Sequence, residues 1–131
     1  MADRAWEAMS LERLRAAKAL LEAGFWRDSI SRSYYAAYCA ATSRVVGRGI
    51  TFAQGRNNPS HEQLPGLILN TGSIPKSARR NVHTRLYSLR HAREDADYRP
   101  RAFISHSFAL ECIFKAAAVL ELLEMFTHET E

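Results

Sequence analysis

Residues 28–46 are the segment that most restricts how this chain folds. Ile30, Tyr34, Ala37, Ala41 and Val45 recur at helical spacing, and Ala36, Cys39 and Ala40 fill the flanks with small side chains. A helix so apolar around its circumference has little solvent face, and small flanking residues let neighbouring helices approach closely. The segment therefore predicts the central helix of a bundle. Asp28 is the expected N-cap, and Gly47 and Gly49 are expected to end the helix near Val46.

Similar punctuation divides the rest of the chain. A first helix is predicted from about Ala5 to Ala23, with Trp6, Met9, Leu14, Leu20 and Leu21 on its buried side and Gly24 as its stop. The segment from Arg48 to Pro59 carries Gly49, Gly55, Asn57 and Asn58 and reads as a loop. Ser60 and Gln63 have capping-box spacing for a short third helix, in which Pro65 is either a kink or the true start. A fourth helix runs from about Pro75, suited to the first helical position, through Leu86 and Leu89 to Arg93. Pro100 then restarts the chain as a last helix to about Thr127, with Phe103, Leu110, Ile113, Phe114, Ala117 and Leu120 on one apolar side. No strand-like alternation of useful length appears. The predicted fold is all-α: an antiparallel up-and-down helical bundle of four to five helices, forming a single domain over residues 1–131.

Composition narrows the function classes. The chain has 18 Lys and Arg against 14 Asp and Glu, a net charge of +4, and its only lysines are Lys18, Lys76 and Lys115. Arginine favours bidentate contacts to phosphate and carboxylate, and stacking on bases. Lys76, Arg79, Arg80, Arg85, Arg90, Arg93, Arg99 and Arg101 gather in one segment. They form either a basic face for nucleic acid or the solvated side of an arginine-rich helix. Cys39 and Cys112 lie inside apolar helical patterns without metal-ligand or disulfide spacing, as expected of reduced core thiols in a cytoplasmic protein. No secretory leader pattern opens the sequence and no charge-free apolar run is long enough to span a bilayer, so a soluble, cytosolic chain without membrane contact is expected. His61-Glu62 and His83 make no helical ligand pair, and neither a metal nor a cofactor is expected.

The densest chemistry is Arg93-Glu94-Asp95-Ala96-Asp97-Tyr98, just ahead of Pro100. Reading back from Arg93 at helical spacing gives Leu89, Leu86 and Val82, which places a guanidinium on an apolar stripe. Asp97, one turn on, is its natural partner. Yet acids at a helix C-terminus face the negative end of the dipole, and Arg ahead of Asp is the weaker order for such a pair. Either a binding or catalytic groove holds these acids there, or they form an ion-paired helix end leading into a turn.

The order of features is specific. Tyr34-Tyr35-Ala36-Ala37-Tyr38 is followed by His61 with Leu64, then Ile74-Pro75, Leu86-Tyr87, and Arg93 with Ala96-Asp97-Tyr98. This resembles the HEPN family, in particular its small stand-alone members with a Tyr-Tyr-Ala helix and an Arg-x-x-Ala-Asp-Tyr signature, over residues 16–118. The resemblance implies an antiparallel helical bundle, usually a homodimer, encoded beside a minimal nucleotidyltransferase or within defence and toxin–antitoxin loci. Many HEPN proteins are metal-independent ribonucleases in which four to six residues separate an arginine from the histidine that follows it, and two subunits bring these motifs into one basic cleft. Arg93 falls where that arginine belongs, whereas Tyr98 stands where the shortest spacing places the histidine.

On this resemblance the catalytic set is Arg93, Asp97 and Tyr98, with Arg93 steadying phosphoryl charge and Asp97 fixing or taking a proton. Arg90, Arg99, Arg101 and Arg32 are the nucleic-acid-binding residues. A phenol that titrates near pH 10 is a poor base, and a carboxylate is a weak one unless burial raises its pKa. Three functions stay open: a protein that binds and cuts RNA; a non-catalytic or nucleotide-binding partner of the nucleotidyltransferase, with Tyr98 as acceptor of a nucleotidyl group; and a structural dimerisation bundle. Arg56 to His61, Arg85 to His91, and Arg99 or Arg101 to His106 meet the looser Arg-His spacing, but with five histidines such matches arise by chance. His106 either faces the groove or is a satisfied histidine at the core edge. Tyr34, Tyr35 and Tyr38 read as core and interface aromatics ahead of a base-stacking role.

Overall fold

The computed structural model describes residues 4–46, 52, 56 and 58–127. Five helices follow in order: α1 (Arg4–Glu22), α2 (Trp26–Val45), α3 (Leu64–Leu69), α4 (Lys76–Tyr98) and α5 (His106–Leu122), and a 3-10 turn, Met125–Thr127, closes the sequence of elements. The architecture is an all-α helical bundle, with no strand among the described residues. Gly47, Gly49 and most of the predicted Arg48–Pro59 loop lie outside the described residues.

α1 stops at Gly24 as predicted. The glycine takes φ +87°; Phe25 N–H donates to the Leu20 carbonyl at 2.9 Å and Gly24 N–H to the Leu21 carbonyl at 3.1 Å. Those two bonds occupy carbonyls the helix end would otherwise leave open, and the left-handed backbone they need suits glycine. The turn is tight enough for the Phe25 carbonyl to accept from Ser29 N–H at 2.9 Å, which opens α2 at once. The expected Asp28 N-cap is thereby corrected: Phe25 occupies the cap position without a side-chain bond, and Asp28 lies inside the first turn. Its charge still suits the positive end of the helix dipole there.

α2 is the central helix. It packs against α1, α3, α4 and α5, and Ala36, Ala37, Ala40 and Ala41 are fully buried. Ser29, also buried, donates from Oγ to the Ala17 carbonyl of α1 at 2.8 Å. At the other end of α2, Arg44 reaches Glu7 of α1 at 2.9 Å and donates through Nε and Nη2 to the Leu123 carbonyl just beyond α5. One guanidinium thus ties three segments together.

Ser60 Oγ accepts from Gln63 N–H at 3.0 Å, as the spacing predicts, but that bond closes a turn ahead of α3: the helix starts at Leu64 with Gln63 as its N-cap, without a side-chain cap bond, and with Pro65 in its first turn. Pro75 is the N-cap of α4 and not its first residue. The last helix departs further from expectation. It begins at His106, where the Ser105 side chain accepts from Phe108 N–H, so Pro100 starts a connection instead of a helix. Phe103 is 88 % exposed and Phe114 63 % exposed, while Ala109, Cys112, Ile113, Ala116, Val119 and Leu120 form the buried side. α5 is apolar on several sides, and the side that turns inward carries the alanines that let another helix come close. No helix among the described residues is long and apolar enough to cross a membrane.

Candidate functional site

The buried stripe of α4 runs through Ala78, Val82, Leu86, Leu89, Arg93 and Ala96. Arg93 is only 8 % exposed, so the arginine does continue the apolar stripe. Its main neighbours are aromatic: the guanidinium carbon lies 5.4 Å from the Tyr34 ring centroid, 5.7 Å from that of Tyr35 and 5.5 Å from that of Tyr98. Contacts between a cation and a ring face are worth up to about 2 kcal/mol when desolvated. The polar contacts are looser. Nη1 stands 3.8 Å from the Asp97 carboxylate and 3.5 Å from the Tyr98 hydroxyl, and Nε is buried without a hydrogen-bond partner among the described residues. Asp97 is a partner, as the one-turn spacing suggests, and the rings of Tyr34, Tyr35 and Tyr98 lie about the same guanidinium. Ser31 of α2 donates to the same carboxylate at 3.2 Å.

Acids tolerate the C-terminal end of α4 because a cation arrives from elsewhere. Arg27, in the first turn of α2, donates from Nη1 to the carbonyls of Asp95 (3.1 Å), Ala96 (3.0 Å) and Arg99 (3.1 Å). Its Nη2 donates to the carbonyls of Pro100 (3.1 Å) and Ala102 (2.7 Å). The guanidinium offsets the negative end of the helix and adds donors to the carbonyls there, of which Asp95's also accepts from Arg99 N–H at 3.2 Å. Arg99 adds an exposed ion pair to Asp95 at 2.6 Å.

The tyrosines of α2 gather His61, which in the sequence is only a landmark of the resemblance and one of the chance Arg-His spacings. His61 Nδ1 is 2.6 Å from the Tyr34 hydroxyl, and its ring centroid lies 5.9 Å from Tyr35 and 5.1 Å from Tyr38. Tyr38 in turn donates to the Pro59 carbonyl at 2.5 Å and accepts from Asn58 Nδ2 at 2.7 Å, which pins the connection just ahead of His61. Burial, then the charges of Arg93, Arg90 and Arg56, push the imidazole pKa below its ordinary value. Burial also pushes the Tyr34 and Tyr38 hydroxyls upward, so these phenols stay neutral at pH 7. Tyr34 and Tyr38 are therefore core aromatics and Tyr35 packs partly buried against that core; all three rings lie beside His61, and Tyr34 and Tyr35 also beside Arg93.

The structure brings Arg93, Asp97 and Tyr98 together and adds Arg90, which pairs with Glu94 at 3.8 Å and with Glu62, beside His61, at 3.9 Å. Arg99 and Arg101 lie past the end of α4, lining a surface hollow with Tyr98, Pro100 and Ala102. Arg32 is exposed and makes no hydrogen bond or ion pair among the described residues; Ser31 is the α2 residue beside Asp97. His106 packs its ring against the Trp26 edge at 6.0 Å, at the α1–α2 turn. The arginines of α4 do not share one face: Arg79 donates to the Leu69 carbonyl of α3 at 2.9 Å, whereas Arg85 lines a cleft with Ala118 and Glu121 of α5.

A helical bundle whose central Tyr-Tyr-Ala helix holds an arginine near the end of a long neighbouring helix defines a recognisable class. The HEPN domain family matches residues 4–126, and the chain belongs to that family. A search of curated proteins returned no match to the chain.

Proposed function

We propose that this HEPN protein binds RNA at the Arg93 end of α4 and cleaves it without a metal ion, as one half of a two-gene defence or toxin–antitoxin module whose other half is a minimal nucleotidyltransferase. The observation that carries this reading is the setting of Arg93. Three rings hold its guanidinium in one orientation, with Nη1 toward Asp97 and Tyr98. A cation fixed before substrate arrives stabilises developing phosphoryl charge at little reorganisation cost. Arg90, Arg99 and Arg101 around it supply long-range attraction for a polyanion.

The test is incubation of purified wild-type protein and Arg93→Ala with mixed total RNA in chelator, with circular dichroism confirming that the variant folds. Fragmentation by the wild type that disappears in the variant is the expected result. Intact RNA with both proteins overturns the cleavage reading.

A second reading draws on Tyr98, which is 69 % exposed and stands beside Arg93. In that reading its hydroxyl accepts a nucleotidyl group from the partner enzyme. Intact-protein mass after co-expression with that enzyme decides it, because an unchanged mass removes the acceptor role.

A further inference from the structure

We propose that His61, carried by the connection into α3, is the proton-transfer residue of this site, in place of the histidine absent from the end of α4. The inference rests on the RNA-cleaving reading above and names a catalytic residue for it.

Position supports the assignment first. Tyr34 is 2 % exposed on the central helix, and its hydroxyl holds Nδ1 of His61 at 2.6 Å. A hydroxyl accepts as readily as it donates, so it accommodates the tautomer with hydrogen on Nδ1 and a lone pair on Nε2. Nε2 makes no hydrogen bond among the described residues, and the ring is half-buried. With that tautomer the arrangement has the parts of a base with its orienting group: a buried hydroxyl that accepts from Nδ1–H, and a second ring nitrogen with no hydrogen bond among the described residues.

Electrostatics point the same way. From α2 the ring faces Tyr34, Tyr35 and Tyr38. From α4 it feels Arg90 and Arg93, and from its own connection Arg56. The neighbouring carboxylate, Glu62, is exposed and pairs with Arg90. Burial first, and then these three guanidinium groups, lower its pKa, so the imidazole is neutral at physiological pH, which is the form able to take a proton. The same three groups attract an anion. A base that must work next to a phosphate profits from both effects.

In the reaction, His61 Nε2 removes the proton of a ribose 2′-hydroxyl. The 2′-oxygen forms a bond to the adjacent phosphorus, and the bond from phosphorus to the 5′-oxygen breaks. The 5′-oxygen takes a proton from water, and the imidazolium returns its own to solvent. A 2′,3′-cyclic phosphate and a 5′-hydroxyl result, with no metal or other co-reactant consumed.

The experiment measures cleavage of a single-stranded RNA in chelator across roughly pH 5 to 8 by the wild type and by His61→Gln. Binding of a 2′-O-methyl version of the same RNA, which has no 2′-hydroxyl to activate, is measured alongside. The wild-type rate is expected to rise with pH to a plateau, with a midpoint below the ordinary histidine value of 6.5. His61→Gln is expected to lose on the order of 100-fold or more in rate, together with that acidic limb, while binding the methylated RNA as the wild type does. A variant that keeps the wild-type rate and limb overturns the role of His61 and leaves RNA cleavage standing. A wild type that does not cleave overturns both. Should His61→Gln fail to fold, the imidazole of the wild-type protein is titrated by NMR: a midpoint different from that of the rate overturns the proposal.

Discussion

The hydroxyl of Tyr34 and Nδ1 of His61 lie 2.6 Å apart, joining the central helix to a connection 27 residues further on. The contact places a titratable ring under three arginine charges, and it has a consequence for stability. The folded-state pKa of His61 is lowered, first by burial and then by Arg93, Arg90 and Arg56, from the unfolded value of 6.5. The unfolded chain therefore takes up the proton more readily. The stability associated with His61 is fully present above 6.5 and is lost as pH falls through the lower folded value. Urea midpoints of wild type and His61→Gln at roughly pH 7.5 and 5 test this; the wild type is expected to lose more on acidification, and equal losses would contradict the assignment.

Arg27 should matter more to stability than its place in a turn suggests. Its guanidinium serves five carbonyls at the end of α4 and in the link to α5. Hydrogen bonds to a charged donor contribute about 1.5–3 kcal/mol, so Arg27→Ala is expected to cost about that much or more in chemical denaturation. Arg99→Ala, which breaks only the exposed pair with Asp95, should cost under about 1 kcal/mol. Equal costs would show that the carbonyls do not depend on Arg27.

Arg93→Lys separates charge from shape. An ammonium keeps the positive charge but has no planar face to lie among three rings. The variant is expected to fold and to be less stable by about 1–2 kcal/mol, within the range of desolvated cation–ring contacts. A lysine variant as stable as the wild type would mean that charge alone occupies the site.

Glu7 and Arg44 form an ion pair at 2.9 Å with side chains 6 % and 17 % exposed. Removing one member leaves the other charge in a poorly solvated place, and such losses run to about 3–5 kcal/mol. Glu7→Ala is expected to fall in that range by urea unfolding, and a change under about 1 kcal/mol would place the pair with ordinary surface pairs.

Burial pushes both thiols, Cys39 and Cys112, to about 11. At about pH 8 almost no thiolate is present in the folded protein. An aromatic disulfide reagent should label neither cysteine in buffer and both in urea. Rapid labelling of the native protein would contradict the burial of α2 and α5 at these positions.

Much of the fold was legible in the sequence because its signals are local. Gly24 ended α1 through bonds made within six residues, Ser60 accepted from Gln63 N–H three residues on, and the apolar period of α2 identified the central helix. The inward position of Arg93 was legible in the same way, from Val82, Leu86 and Leu89 on its stripe. Where a local signal was ambiguous, packing decided. Asp28 could have capped α2, but the tight turn at Gly24 let the Phe25 carbonyl open the helix first. α5 is apolar on several sides, so its periodicity did not select which side faces inward, and Phe114 stayed in solvent.

The sequence by itself determined the helices, their order and the burial of an arginine near the end of α4. Hydrogen bonds between residues three or four apart and a 3.6-residue apolar period are read from neighbouring positions alone. Only the tertiary structure decided what surrounds that arginine: the rings of Tyr34 and Tyr35 from α2, the imidazole of His61 beside them, and Arg27 on carbonyls 68 to 75 residues away. Such contacts depend on how helices cross and which faces meet, and no short-range spacing encodes that geometry.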